Sequence, residues 1–415
     1  MQLVDKKEID FSNISVDTYW NFGDSKEDKI HKIHSYPAKF PSFITQKALE
    51  YAERDGMEIK KVADLFCGCG TAAYEANKEG YEFWGCDINP VAALIARVKS
   101  RKLEANKLNT YYDRIMDNFN VVSAPITLNV NDRIKYWYEE NQIIDLMRLR
   151  DSITTTCKNN SYYLEFFLCA FSNILKPTSR WLTKAIKPQI DPHKKIINVK
   201  LAYQKQFRFM YRANEESGVN SDVDVRIEVA NSLELRGEGN IDLIVTSPPY
   251  VTSYEYADLH QLSLLWLNFT DDYRVYRANT IGSKHSNIQK DLNNLNRIGS
   301  KIVEPFLVND KSKARAIKKY YLDMQAITKV THGLLANNGM ALFVIGNTEY
   351  KGVHIDNAQH LALSLYESGF KKVYVTKRKI SNKILSPYRD ENGKFSSDTT
   401  GRKIYNEEFI LIGRK

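Results

Sequence analysis

At 415 residues the chain is long enough for one large domain with insertions, or for two or three domains. Its 43% apolar and 26% charged residues are ordinary for a soluble globular protein. No run of about 18 apolar residues is present that could span a bilayer. The net charge of +9 suits a polyanionic partner but does not by itself specify one.

In chain order, Met1 to Asp10 carries three acids and two lysines and lacks the apolar stretch of a secretory signal, so a cytoplasmic location is expected. Val62 to Phe66 reads as a short buried strand, broken by Gly68, Gly70 and Thr71 before a helical pattern over Ala72 to Lys78. A second strand, Phe83 to Asp87, precedes a helix over Val91 to Lys99 that Asn89-Pro90 starts. This β-α-β-α alternation predicts an α/β fold with a parallel, doubly wound, Rossmann-like sheet.

From about Ser100 to Val223 the pattern turns helical, with apolar faces at Trp137 to Leu149 and Tyr162 to Leu175, as in an inserted subdomain. Its later part, Lys176 to Arg212, holds ten Lys or Arg against the single acid Asp191, with Trp181, Tyr203, Phe207, Phe209 and Tyr211 interleaved. Such a mixture suits a phosphate backbone and unstacked bases; it equally suits a solvated basic face over core aromatics.

Strands then return at Val225 to Val229, Ile241 to Thr246 and Met340 to Ile345. A second insertion, residues 251–310, opens with an aromatic-rich helix over Tyr254 to Phe269. A long helix, Arg315 to Leu335, leads to Asn338-Gly339 as its expected stop. A helix over Ala358 to Gly369 and two strands, Val373 to Lys377 and Glu407 to Ile412, close the chain as a long hairpin with a basic loop. The expected organisation is a catalytic domain made of residues 1–99 and 225–415, interrupted by the helical insertion 100–224 as a DNA-binding or target-recognition region.

Two loops carry the chemistry. In Asp64-Leu65-Phe66-Cys67-Gly68-Cys69-Gly70-Thr71, glycines stand where the chain leaves a strand and enters a helix, so the backbone can pass close to a ligand. Asp87, at the end of the next strand, can accept from both hydroxyls of a ribose, and Asp64 can meet a cationic amino-acid group. Taken alone the loop fits S-adenosylmethionine, a dinucleotide or a structural turn. Five cysteines, an odd number, argue for reduced thiols, and Cys67, Cys69 and Cys86 lack the histidine pair that would complete a zinc site, so no metal is expected.

The second loop is Ser247-Pro248-Pro249-Tyr250, directly after the strand Asp242 to Thr246. Two prolines fix the backbone at the carboxyl end of a buried strand, where open α/β sheets place their ligands. An exocyclic amine is a poor nucleophile because its lone pair is delocalised into the ring. The Ser247 hydroxyl and the Pro248 carbonyl can accept its hydrogens and draw it toward a pyramidal shape, while Tyr250 stacks on the base.

With these residues in place the sequence resembles the amino-methylating DNA methyltransferases, whose catalytic motif is Asp, Asn or Ser followed by Pro-Pro-Tyr or Pro-Pro-Phe. The resemblance implies S-adenosylmethionine as cofactor, bound by Asp64, Phe66, Gly68, Gly70 and Thr71, with Asp87-Ile88 as the ribose-binding acidic turn. It implies that His34 to Pro41, including Tyr36 and Phe40, closes over the methionine moiety, and that Asn231-Ser232 meets the adenine. Asn231 departs from the Asp usual there. The serine form implies the N4 of cytosine in DNA as target, with the base flipped from the duplex and a companion restriction endonuclease in a restriction-modification system. N6 of adenine, or an RNA amine, is the alternative target. No C5-type nucleophile is present, since none of the cysteines follows a proline.

Overall fold

A computed structural model describes the chain except for residues 22–25, 38, 122–129, 183–187, 252–255, 279, 284–293, 351–352, 381–387, 390–401 and 404–406. Eight strands form the central sheet: β1 (Gln2–Leu3), β2 (Lys61–Asp64), β3 (Glu82–Asp87), β4 (Val225–Val229), β5 (Ile241–Thr246), β6 (Leu335–Ile345), β7 (Lys372–Lys379) and β8 (Glu407–Arg414). Their spatial order is β1-β7-β8-β6-β5-β2-β3-β4. Neighbours from β4 through β6 are parallel, and β8 runs antiparallel between β6 and β7. The doubly wound sheet is thus as expected, with the terminal hairpin inserted at one side.

Fourteen helices are seen among the described residues: α1 (Ser42–Arg54), α2 (Thr71–Lys78), α3 (Pro90–Lys99), α4 (Ala105–Val121), α5 (Asp132–Trp137), α6 (Glu140–Cys157), α7 (Ser161–Ile174), α8 (Val199–Glu215), α9 (Tyr256–Leu259), α10 (Gln261–Trp266), α11 (Val275–Ala278), α12 (Arg297–Asn309), α13 (Lys311–Leu334) and α14 (Asn357–Glu367). One face of the sheet packs α13 and α14 through residues such as Ile317, Met324, Leu361 and Phe343. The other packs α1, α2 and α3 through Ile44, Ala73 and Ala93 against Val62, Leu243 and Leu342. Burying both faces explains why β2, β5 and β6 read as near-continuous apolar runs.

The helices α4 to α8 have a core of their own that continues into the outer sides of α2 and α3, with Phe167, Phe171, Tyr203 and Leu146 meeting Val91, Leu94 and Tyr74. Here the aromatics of the basic stretch find their place. Trp181 stacks on Trp137 with centroids 4.8 Å apart, Phe207 stacks on Tyr112 at 3.9 Å, and Tyr203 is fully buried. Trp181, Tyr203 and Phe207 are therefore core, not stacking platforms for bases. Lys205, Arg208 and Arg212 are exposed on the opposite side of α8, at the i, i+3, i+7 spacing of one helix face.

Two expected elements differ. Helix α13 ends at Leu334, and β6 begins at once; Asn338 (φ 67°) and Gly339 fall inside the strand, not at the helix stop. They form an irregularity in which Ile241 and Leu243 on β5 face Leu335 and Met340 on β6. The aromatic helix expected over Tyr254 to Phe269 is two short helices, α9 and α10, broken at His260; Tyr254 itself lies outside the described residues. Most of the basic loop of the terminal hairpin also lies outside them. No helix among the described residues is long and apolar enough to cross a membrane, and no group of three His, Cys, Asp or Glu there is arranged to hold a metal ion.

Candidate active site at the carboxyl ends of the parallel strands

The strand order reverses between β2 and β5, and ligands of open α/β sheets bind outside the carboxyl ends of the strands at that point. Asp64 ends β2 and Thr246 ends β5, and the Thr246 hydroxyl donates to Asp64 Oδ1 at 2.5 Å. The two loops singled out in the sequence therefore leave adjacent strands and are joined by a side-chain hydrogen bond.

The glycine loop is built around two carboxylates. Asp64 Oδ1 also accepts the Phe66 N–H at 2.9 Å. Asp87 Oδ2 accepts the Gly68 N–H at 2.9 Å, and its Oδ1 accepts the Asn89 N–H at 2.8 Å. Gly68 and Gly70 both have positive φ, 48° and 75°. A Cβ on Gly70 would lie 2.5 Å from Ala96 Cβ, so Gly70 is needed for the packing of the loop on α3; Gly68 lies beneath the Tyr36 ring. Buried Lys99 reaches up from α3 and donates to Cys69 Sγ at 3.2 Å.

Burial pushes the Asp64 carboxyl up to about 7, with a further rise from the charge of Asp87 and partial opposition from the Thr246 and Phe66 hydrogen bonds. Burial likewise raises Asp87 to about 6, against the two backbone N–H groups it accepts. Two carboxyls held this way favour a cation close by, because a positive charge restores their ionised form. Each oxygen of Asp87 uses one acceptor site on a backbone N–H and keeps another for a hydroxyl. The buried Thr71 hydroxyl has no partner among the described residues. This donor set fits a ligand with both a cationic amino-acid end and a ribose.

Of the other expected cofactor residues, Tyr36 and Ser232 contact the same loop. Tyr36 stacks on His260, centroids 5.1 Å apart, and burial raises its phenol well above the usual value. His34 Nε2 lies 2.9 Å from Ser172 Oγ, which is 2.7 Å from Ser263 Oγ, so the segment is pinned to α7 and α10. Phe40, Phe66 and Ile88 are half-buried. Asn231 caps a short turn: its Oδ1 accepts the Leu233 N–H at 3.1 Å and its Nδ2 donates to Glu234 at 2.9 Å. The Ser232 hydroxyl is spent on the Leu65 carbonyl at 2.5 Å, so it ties the turn to the glycine loop.

In the second loop the Ser247 hydroxyl donates to the Val344 carbonyl at 3.1 Å. The Ser247 side chain also makes a hydrogen bond with the Tyr250 phenol, and a hydroxyl oxygen with two lone pairs can still accept from an incoming donor. Pro248 is buried and Pro249 half-buried. The Tyr250 ring lies against Gly346, where a Cβ would come within 2.8 Å of Cε2, and the Tyr250 hydroxyl donates to Glu408 Oε1 at 3.1 Å. Thr246, Gly346, Glu408 and His260 were not singled out in the sequence. Gly346 alone left a signal, a glycine directly after a buried strand.

No family model matches the chain. It is similar to the type II methyltransferase M.MvaI of Kocuria varians, 26% identical over 92% of this chain and 90% of that protein. It is also similar to the type II methyltransferase M.AvaI of a Nostoc strain, 21% identical over 90% of this chain and 83% of the other. Both matches take in the two loops and the insertion between them. The sheet is a doubly wound, Rossmann-like α/β sheet. Among solved structures, a protein described as an S-adenosylmethionine-dependent methyltransferase from Methanosarcina mazei aligns at 10% identity over 86% of this chain and 93% of that one, with a TM-score of 0.32.

Proposed function

We propose that the chain is an S-adenosylmethionine-dependent DNA methyltransferase that modifies an exocyclic amine, the N4 of cytosine, as the modification enzyme of a restriction-modification system. The observation that carries this reading is the Thr246–Asp64 hydrogen bond, which sets Ser247-Pro248-Pro249-Tyr250 beside a loop fitted for the cofactor. Relatives named as type II methyltransferases favour DNA over RNA as substrate.

S-adenosylmethionine supplies an electrophilic methyl group: its bond to sulfur breaks as the bond to the amine nitrogen forms, and the amine loses one proton. When the cofactor is bound, Asp87 would hold the ribose hydroxyls, Asp64 would meet the cationic amino group, and the turn capped by Asn231 would serve the adenine. Ser247 and the Pro248 carbonyl accept the two amine hydrogens, so the nitrogen lone pair is turned out of conjugation and toward the methyl group. Tyr250 holds the plane of the base, which must leave the duplex to reach the loop. The proton departs to solvent, so no tuned general base is required. The exposed stripe Lys205, Arg208 and Arg212 suits contacts to the phosphate backbone.

Incubation with DNA and methyl-labelled S-adenosylmethionine, followed by nucleoside analysis, tests the proposal. Labelled N4-methylcytosine is expected. N6-methyladenine alone would overturn the target atom and keep the class; label in RNA but not in DNA would overturn the substrate.

A further inference from the structure

A tyrosine that stacks on a flipped base works best when its ring plane is set before the base arrives, since an ordered partner loses less freedom on binding. The ring of Tyr250 is fixed at two ends. Against one side lies Gly346, whose carbonyl is itself held by Asn357 Nδ2 at 2.8 Å. At the other end the hydroxyl donates to Glu408 Oε1 at 3.1 Å. The second carboxylate oxygen of Glu408 accepts from the Arg378 guanidinium. Glu408 and Arg378 are direct partners across the antiparallel β7–β8 ladder, and Arg378 lies over the Phe43 ring, 5.6 Å from its centroid.

The pair is an expensive way to hold two strands together. Arg378 is 3% exposed, and its Nε finds no hydrogen-bond partner among the described residues. Taking most of both charges out of water is costly before any attraction is counted, and a pair of apolar residues of similar size usually serves stability as well or better. The strand ladder itself supplies seven other registered residue pairs that hold the two strands together. What an apolar pair would lack is an acceptor for Tyr250. Burial and the neighbouring Glu408 hold the Tyr250 phenol well above its usual value, so it stays a donor to that carboxylate.

We infer that Glu408, braced by Arg378, is a positioning residue that locks the Tyr250 ring against Gly346 in the plane that receives the target base. The inference rests on the reading of Tyr250 given under the proposed function. Neither residue touches the reacting atoms; both act through the tyrosine.

The test uses the full chain and three variants: Tyr250→Phe, Glu408→Gln, and the double variant Arg378→Met with Glu408→Met, which removes both charges and so leaves no unpaired buried ion. Single-turnover methyl transfer to DNA, cofactor affinity and the ring order of isotope-labelled Tyr250 by NMR are measured. In the double variant the Tyr250 ring should become mobile and transfer should slow about tenfold, as in Tyr250→Phe, with cofactor affinity unchanged. Adding Tyr250→Phe to the double variant should bring no further loss, because both remove the same bond. Glu408→Gln, whose amide still reaches the phenol, should recover most of the rate and the ring order. A double variant with an ordered ring and the rate of the parent would overturn the inference, as would losses that simply add. If the parent chain methylates no DNA, the functional reading fails, while the ring order still decides the tether.

Discussion

The two loops that meet at the centre of the sheet are held by different means. The glycine loop closes on itself: Asp64 takes the Phe66 N–H, Asp87 takes the Gly68 N–H, and Gly70 donates to the Cys67 carbonyl at 2.7 Å, all within one β-α-β unit. The Ser-Pro-Pro-Tyr loop depends on distant parts of the chain. Ser247 is anchored to Val344, 97 residues on, and Tyr250 to Glu408, 158 residues on. The first loop can thus be written largely as a local motif, tied to the rest of the sheet through Thr246 and Ser232, whereas the second borrows rigidity from the far strands.

The comparison can be broken first at Gly70. An alanine there would put Cβ 2.5 Å from Ala96 Cβ in a backbone with φ 75°. Left-handed strain of roughly 1–2 kcal/mol and overpacking of roughly 1–3 kcal/mol together predict a loss of about 3 kcal/mol in denaturant unfolding. Combining Gly70→Ala with Ala96→Gly should not regain the overpacking part, because the added Cβ also meets the Ala96 Cα at 2.6 Å. Unchanged stability in Gly70→Ala would contradict the tight closure of the loop.

A smaller effect sharpens the electrostatics. Because burial raises Asp64 to about 7, lowering the pH from 8 to 6 protonates it in the free protein, and only the ionised form favours a cationic ligand. Cofactor affinity should therefore rise about tenfold from pH 6 to pH 8 by linkage, and Asp64→Asn should flatten that rise. For the protein without cofactor the sign is opposite. A carboxyl raised in the folded state contributes stability that is greatest near pH 4 and declines as pH climbs toward 7. Calorimetric titration at the two pH values checks the first statement; a profile unchanged by Asp64→Asn would contradict it.

The same contrast explains what could be read from the sequence. The glycine loop, Asp87 and Ser247 to Tyr250 were legible because each motif lies within a few residues of a strand end. The doubly wound sheet followed from the β-α alternation. Glu408 and Arg378 were not legible: Glu407 and Glu408 stand side by side before a continuous apolar run, and which of them turns toward Tyr250, and its partner, are set by a register that only the folded ladder fixes. The aromatics of the basic stretch carried two readings. Tyr203, Phe207 and Met210 fall at i, i+4 and i+7, the spacing of a buried helix stripe, and that periodicity prevailed over their basic neighbours. The break at His260 had no glycine or proline to announce it.

In the proposed reaction Ser247 aligns an exocyclic amine for transfer while the neighbouring loop binds the cofactor independently. Single-turnover methyl transfer by Ser247→Ala, with S-adenosylmethionine affinity measured on the same preparation, tests it most directly. Loss of one alignment contact predicts a rate lower by about a hundredfold with cofactor affinity unchanged. Transfer to DNA at the parent rate would contradict the account.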